Sequence, residues 1–272
     1  MISNISWDPS PELLPFNIPF LGRPILWYGF LFALGFFLAY LVLLSLLKKE
    51  FGLKQAKFLV EKLCLYVVIG TIIGAKLGDF FFYQDWSDPL SFLKIWERGL
   101  ASHGAVAGIF VSLFIFLKKY QKKVSLSWKK LLDFLAVPAG LVGACIRVGN
   151  FINQEILGTV TDLPWGVVFG HPIDGSRPVP RHPVQLYEAA FYLTMFAITF
   201  WMYQKKKWKE GRLAGFFLTA VFSFRFLIEF LKEEQSSWMP NWALIDMGQL
   251  LSVPLICFGL YLFFKPLLPS SK

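Results

Sequence analysis

The chain has 272 residues, of which 56% are hydrophobic and 18% aromatic, and it carries a formal net charge of +9. A soluble domain of this length buries a large core with fewer apolar residues, so the composition excludes an ordinary soluble enzyme. The positive charge alone would suit a nucleic-acid-binding protein, but the lysines cluster in short connectors between apolar runs, and no RNA- or DNA-binding motif accompanies them.

Apolar runs of about 20 residues, long enough to cross a bilayer, recur along the sequence and predict an all-α integral membrane protein. The connectors after the first, third and fifth runs carry the lysine clusters, whereas the other connectors carry acidic residues. Because lysine-rich connectors stay on the cytoplasmic side, this alternation predicts an N-terminus outside and a C-terminus inside. The seven predicted spans are 25–47, 58–82, 99–117, 131–151, 187–204, 213–231 and 242–264.

The longest connector, 153–186, follows the fourth span and is therefore predicted to form a small extracytoplasmic cap. It contains the strand-like, aromatic stretch DLPWGVVF and the turn-rich stretch HPIDGSRPVPRHP. Within the second span, Gly70, Gly74 and Gly78 repeat every four residues, a spacing that predicts close packing against another helix rather than chemistry.

Polar side chains in the first three spans allow two interpretations each. Tyr28, near the outer end of span 1, fits either an aromatic belt or a hydroxyl that faces a cavity. Lys76 and Asp79, spaced i, i+3 in span 2, predict a structural ion pair or a functional pair. His103 opens span 3 beside Gly104, and its imidazole suits either a structural hydrogen bond or proton removal near neutral pH.

Span 4 ends in the polar stretch IRVGNFINQEILG. Arg147, Asn150 and Asn153 follow an i, i+3, i+6 spacing and share one face if the helix continues. Glu155 can pair with a basic neighbour, and Gly158 allows a bend or a close approach to a ligand. A charge at mid-bilayer costs about 2.5–3.5 kcal/mol, which makes these residues functional candidates; the alternative is a helix end that dips into the headgroups.

Spans 5 and 6 add a second polar group. Span 5 begins with RHPVQLYEA, which includes Glu188. In span 6, Arg225 and Glu229 are spaced i, i+4, so they pair with each other, or Arg225 reaches a ligand while Glu229 holds it in place. Arg147 and Arg225 fall at about the same depth, which suggests an anionic group between them, because the planar guanidinium fork suits phosphate.

These residues together predict an outer-leaflet cavity lined by arginines, a histidine, amides and carboxylates. Such a cavity fits an anionic lipid substrate or a transported anion, and the residues alone do not choose between an enzyme and a transporter. A membrane metallohydrolase that uses His103, His171 and His182 is a third possibility. The histidines have no HExxH motif and no short spacing, so no metal site is predicted.

The motifs in combination resemble the bacterial prolipoprotein diacylglyceryl transferase family. The resemblance runs from about Tyr28 to Glu229 through RVGNFINQEILG, SHGAVAG, RHPVQLYEA, DLPWGVVF and RFLIEF, in the family's order. The family's span-4 pattern, G-R-x-G-N-F-x-N-x-E with a later glycine, is matched by Arg147, Gly149, Asn150, Asn153, Glu155 and Gly158.

The chain departs from the family pattern at several positions, which suggests a divergent member. Ile146 and Gln154 stand where the family commonly has glycine, and Ala105 follows Gly104 where the family has a second glycine. Lys76 stands where arginine is expected, and Val221-Phe222 replaces the Tyr-Gly that often precedes the span-6 arginine.

The resemblance implies transfer of the diacylglyceryl group from phosphatidylglycerol to the lipobox cysteine of a prolipoprotein. The transfer forms a thioether and releases glycerol phosphate, as the first step of bacterial lipoprotein maturation. The resemblance also implies the bacterial cytoplasmic (inner) membrane, an active site toward the outer leaflet, and no cofactor, metal or nucleic acid.

Residue roles follow from the same resemblance. Arg147 would bind the phosphatidylglycerol headgroup, and Arg225 would neutralise the charge that develops on the departing phosphate. His103 would act as the base for the thiol, or would only orient the lipid. Asn150 and Tyr28 would position the headgroup, while Glu155 and Glu229 would hold the arginines. The implied supporting residues are Asn153, Glu155, Gly158, Glu188, Glu229 and Gly104.

Overall fold

The computed structural model describes residues 5–14, 16, 24–83, 102–205, 208–233 and 247–265. Within these residues the chain forms seven α-helices, one in each region where a span is predicted. They are α1 (Trp27–Phe51), α2 (Leu53–Tyr83), α3 (Ser102–Val124), α4 (Trp128–Ile152), α5 (Val184–Gln204), α6 (Arg212–Ile228) and α7 (Met247–Phe264). A 3-10 turn, Glu229–Leu231, extends α6.

The helices have the surface of a membrane protein. Among the described residues, four helices, α1, α2, α4 and α6, are long and apolar enough to cross a membrane. Large apolar side chains such as Phe37 and Phe114 are 57% and 66% exposed, whereas the polar side chains of Gln185 and Glu188 are 0% and 1% exposed. This distribution is the reverse of that in a soluble protein and is expected where lipid surrounds the helices.

One compact unit, Leu43–Leu131, contains α2 and α3, whose backbones nearly touch. A Cβ added to Gly74 would lie 2.2 Å from the carbonyl oxygen of Gly104, and one added to Gly108 would lie 2.0 Å from that of Gly70. Because no larger residue fits at these crossings, the packing role predicted for the glycine repeat of α2 is confirmed.

The other compact unit, Met1–Val42 and Leu132–Lys272, includes α4–α7 and a small sheet. Strand β1 (Ile5–Trp7) runs parallel to β2 (Val167–Phe169), and β2 runs antiparallel to β3 (Pro180–Arg181). Strand β2 lies within the stretch DLPWGVVF, as its pattern indicated. Strand β1 was not predicted, since three residues carry no periodic signal.

The sheet packs against the end of α4. The ring of Trp7 stacks on Phe151 with centroids 4.6 Å apart, and the indole N–H donates to the Phe151 carbonyl at 3.1 Å. A buried hydrophobic cluster joins the end of α4 to β2, and it consists of Phe151, Leu157, Val167 and Phe169. The sheet thus fixes the segment that follows α4.

Candidate functional site

The end of α4 turns sharply and brings Glu155 back toward the helix. Gln154 and Ile156 adopt left-handed backbone conformations, with φ of 52° and 58°, which no α-helix tolerates in its interior. The helix therefore ends at Ile152, and Asn153 lies in the turn rather than on a continued helical face. The Glu155 N–H donates to the carbonyl of Asn150 at 3.1 Å.

A chain of hydrogen bonds connects the polar residues of this turn. Arg147 Nη1 donates to Asn150 Oδ1 at 3.0 Å, and Asn150 Nδ2 donates to Glu155 Oε1 at 2.7 Å. Asn153 Nδ2 is 3.5 Å from the same Glu155 oxygen. Glu155 thus orients two amides, and its link to Arg147 passes through Asn150 rather than through a direct ion pair.

Arg147 has a different carboxylate as its ionic partner. Glu188, at the start of α5, places Oε2 3.0 Å from Arg147 Nε and Oε1 3.1 Å from the ammonium of Lys232. Lys232 also lies 3.3 Å from Glu229, whose carboxylate abuts Gly248 of α7. The expectation that Glu229 holds an arginine is therefore not met: its described ionic partner is Lys232.

Sequence reasoning missed Lys232 for a physical reason. It follows the last apolar residues of span 6 and precedes two glutamates, which is the usual setting of a lysine that extends into the headgroups. In the structure its side chain is only 3% exposed, and two carboxylates surround its ammonium. The i, i+3 spacing to Glu229 was the one available signal.

Two tyrosines complete the surroundings of the arginines. The Tyr28 ring packs against Gly149, and its hydroxyl is hydrogen-bonded to the Asn150 side chain. The Tyr192 hydroxyl accepts a hydrogen bond from Arg147 and lies within electrostatic range of Arg225. Tyr192 is therefore a neighbour of Arg147 that the sequence does not single out, because a tyrosine is inconspicuous in an aromatic-rich helix.

Gly158 occupies a position that no other residue can take. A Cβ there would lie 2.3 Å from the carbonyl oxygen of His182, and the Gly158 backbone forms a β-bridge with Lys232. Nearby, Gln185 Nε2 donates to the carbonyl of Glu155 at 2.8 Å. These contacts fix the turn after α4 between the start of α5 and the end of α6.

The remaining candidates belong to the other compact unit. His103 and Gly104 open α3, and the side chain of His103 lies outside the described part of the chain, as does that of Asp79. Gly104 contacts α2 at Gly74, so its described role is helix packing. Lys76 of α2 is also buried.

The histidines of the cap have local partners. His171 Nδ1 is 2.7 Å from Asp8, and His182 Nδ1 is 3.5 Å from the Tyr187 hydroxyl. Within the described ranges, no three His, Cys, Asp or Glu side chains converge in a group that could hold a metal ion.

The polar residues at the end of α4 and their partners are suited to binding an anion. We call them the Arg147 cluster: Arg147, Asn150, Glu155, Glu188, Lys232, Tyr28 and Tyr192. Arg147 is a largely buried cation with defined partners, and a guanidinium carries more N–H donors than these partners accept. Planar donor pairs of this kind bind phosphate in two parallel hydrogen bonds. The geometry therefore fits a phosphate ester, held at the end of a helix bundle.

Comparison with known proteins agrees with that chemistry. Residues 15–265 match a sequence model described as prolipoprotein diacylglyceryl transferase. The chain is similar to three proteins named phosphatidylglycerol–prolipoprotein diacylglyceryl transferase. That of Protochlamydia amoebophila is 47% identical over 216 residues, which is 76% of this chain and 57% of that protein. That of Tolumonas auensis is 42% identical over 94% of this chain and 95% of its own length. That of Porphyromonas gingivalis is 39% identical over 96% of this chain and 94% of its own length.

Proposed function

The chain belongs to the prolipoprotein diacylglyceryl transferase family, and from this premise we propose where and how it acts. It is a membrane transferase that moves the diacylglyceryl group of phosphatidylglycerol to prolipoproteins, the first step of lipoprotein maturation. The proposed site of transfer is the Arg147 cluster, and the proposed acceptor is the thiol of the lipobox cysteine.

The arrangement of Arg147 is the observation that carries this proposal. Its side chain is 12% exposed, it is oriented by Glu188 and Asn150, and the hydroxyl of Tyr192 is hydrogen-bonded to it. Two arginines near one tyrosine provide the charge that a phosphodiester headgroup needs. Asn150 and Tyr28 supply neutral hydrogen-bonding groups beside it, which suits the hydroxyls of a glycerol headgroup.

The chemical step exchanges one bond for another at a carbon of the diacylglycerol. The cysteine sulfur forms a C–S bond as the C–O bond to the phosphate breaks, and glycerol phosphate departs. Charge accumulates on the phosphate oxygens during this step, and Arg147 and Arg225 stabilise it. Loss of such a donor costs on the order of 100- to 1000-fold in rate. In this proposal His103 takes the thiol proton, because the thiolate is the nucleophile.

We propose that the protein crosses the bacterial cytoplasmic membrane seven times, with residues 153–186 and the Arg147 cluster toward the outer leaflet. The cluster lies where three helices meet: Arg147 near the end of α4, Glu188 at the start of α5 and Lys232 just after α6. The opposite ends of these helices carry lysines, including Lys129 and Lys205. Lysine-rich connectors stay on the cytoplasmic side, which supports an outer position for the cluster.

A product assay with purified full-length protein tests the proposal. The protein is mixed with phosphatidylglycerol micelles and a synthetic lipobox peptide, and mass spectrometry follows the peptide. We expect a diacylglyceryl mass gain on the cysteine with release of glycerol phosphate. We expect Arg147→Ala to lower the rate about 100- to 1000-fold, whereas Arg177→Ala, at an exposed arginine of the cap, retains wild-type activity.

The outcomes separate the transferase from the transporter. If the wild-type protein forms no thioether while the Tolumonas auensis relative is active in the same assay, the proposal is wrong. Movement of labelled phosphatidylglycerol across a vesicle membrane without a covalent product would then favour transport.

A further inference from the structure

We propose that Lys232 is a positioning residue for the transferase reaction, acting through Glu188 to keep the guanidinium of Arg147 available to the lipid phosphate. This inference rests on the proposed function of the Arg147 cluster. Lys232 is the described cation with the most extensive ionic contacts in that cluster, since both Glu188 and Glu229 lie within 3.3 Å of its ammonium.

The two oxygens of Glu188 have different partners. Oε1 is 3.1 Å from Lys232 Nζ in a hydrogen bond, whereas Oε2 is 3.0 Å from Arg147 Nε. The contact to Arg147 is an ion pair without hydrogen-bond alignment, because Oε2 has no hydrogen-bond partner of acceptable geometry in the part of the chain that the structure describes. Glu188 thus accepts a hydrogen bond from Lys232, whereas its contact with Arg147 is an ion pair alone.

An unanchored Glu188 would behave differently. A buried carboxylate beside an arginine prefers the bidentate geometry, in which both oxygens accept from the guanidinium fork. That geometry would occupy the donors that the phosphate needs. By holding Oε1, Lys232 keeps Glu188 at the Nε edge of Arg147, so that Glu188 does not occupy the Nη donors that would bind the ligand.

Charge balance leads to the same conclusion. Lys232 is the ionic partner of both Glu188 and Glu229, so loss of its ammonium adds one uncompensated buried carboxylate next to the phosphate site, whatever Glu155 and Arg225 contribute. Repulsion between that carboxylate and an incoming phosphate weakens binding of the lipid.

A purely structural role for Lys232 predicts different behaviour. Its backbone forms the β-bridge with Gly158, and substitution of the side chain leaves this bridge in place. If the side chain only stabilised the fold, its loss would reduce the amount of active enzyme without raising KM for phosphatidylglycerol. A second substitution at Glu188 would then lower the amount of active enzyme further instead of restoring it.

The experiment is a double-mutant cycle with kinetics in mixed micelles of graded phosphatidylglycerol content. We expect Lys232→Met to raise KM for phosphatidylglycerol about 10- to 100-fold, with a smaller effect on kcat. Adding Glu188→Gln removes the uncompensated charge, so the double variant should recover at least half of the lost affinity on a logarithmic scale. Lys130→Met, which removes the ion pair with Glu50, is the matched control and should leave both constants unchanged.

Each result decides the inference. If Lys232→Met has the wild-type KM, or if Glu188→Gln does not rescue it, Lys232 is not a positioning residue. Should Lys232→Met fail to fold, Lys232→Arg and Lys232→Gln replace it, because both keep hydrogen bonds but only the first keeps the charge. A near-normal KM for the Lys232→Arg protein with a raised KM for the Lys232→Gln protein supports the inference, and equal KM values overturn it. A wild-type enzyme that forms no thioether instead overturns the proposed function.

Discussion

The ring of Tyr28 lies directly against Gly149, where an added Cβ would stand 2.9 Å from Cδ2 of the tyrosine. This contact joins the start of α1 to the last turns of α4, and it directs the tyrosine hydroxyl toward Asn150. An aromatic-belt residue needs no such partner, since its hydroxyl faces headgroups and water. The contact therefore favours the cavity-facing interpretation of Tyr28.

Replacing Tyr28 by phenylalanine tests the role of that hydroxyl. We expect kcat/KM for diacylglyceryl transfer to fall about 10-fold, which corresponds to one lost hydrogen bond, while the retained ring preserves the packing on Gly149. Initial rates of thioether formation measure the effect, and Tyr40→Phe within α1 is the control. Equal rates for the two variants would show that the hydroxyl takes no part.

Gly158→Ala should abolish most of the activity and lower the melting temperature. The added methyl group would meet the backbone oxygen of His182 at 2.3 Å, and backbone cannot move aside as a flexible side chain can. Gly29→Ala is the matched control, because a Cβ there meets no described atom within 4 Å and alanine favours a helix. A Gly158→Ala protein with wild-type rates and melting temperature would contradict the described geometry.

Asp133→Ala should destabilise the fold through the start of α6. The residue before that helix, Gly211, has φ of 90° and no side chain that could cap it. Asp133 of α4 takes this role, because its carboxylate accepts hydrogen bonds from the N–H groups of Gly211 and Ala214 at 2.7 and 2.8 Å. We expect a loss of about 1–3 kcal/mol in unfolding free energy, because the carboxylate satisfies helix donors and faces the positive end of the dipole. Denaturant unfolding in micelles measures it, with the exposed Asp162→Ala as the reference.

The attachment of β1 should depend on pH. Hydrogen bonds from His171 and then Gln154 hold the pKa of the Asp8 carboxyl below its ordinary value of 3.8. A carboxyl whose folded pKa is lowered contributes stability above its unfolded pKa and loses it as the pH falls through the folded pKa. Protection factors of the Ile5 and Gly170 amides, which bond across β1 and β2, should therefore fall below about pH 3.8.

Asp8→Asn is the control for this dependence. The variant cannot ionise, so its protection factors should be lower at neutral pH and nearly independent of pH over the acidic range. If the wild-type protein and Asp8→Asn show the same profile, the carboxylate does not hold β1 in place.

Sequence reasoning was most successful where the signal was local. Apolar runs located each of the seven α-helices that the described residues form, because a helix in lipid must be apolar over its whole length. The four-residue glycine spacing predicted the α2–α3 contact, and the span-4 spacing brought Arg147 and Asn150 together, since both lie on one face of α4.

The misses involve partners that are distant in the sequence. Lys232 and Glu188 meet only because the end of α6 lies beside the start of α5, and no local pattern records that contact. The left-handed conformations at Gln154 and Ile156 were equally hidden, because residues with a Cβ rarely adopt them. Arg225 and Glu229 had the right spacing for a pair, yet Lys232 provides the described ionic partner of Glu229.

The parallel pairing of β1 with β2 has a consequence for biosynthesis. Ile5 pairs with Val167, and all of α1–α4 is synthesised between the two strands. The first strand to leave the ribosome must therefore remain unpaired until the segment that contains α1–α4 and then β2 have been synthesised. Until β2 has been synthesised, Trp7 has no neighbouring strand with which to pair. The sheet therefore forms late in folding, after α4, which carries Arg147, has been synthesised. Shortening the chain before Val167 would leave the first strand permanently without its partner.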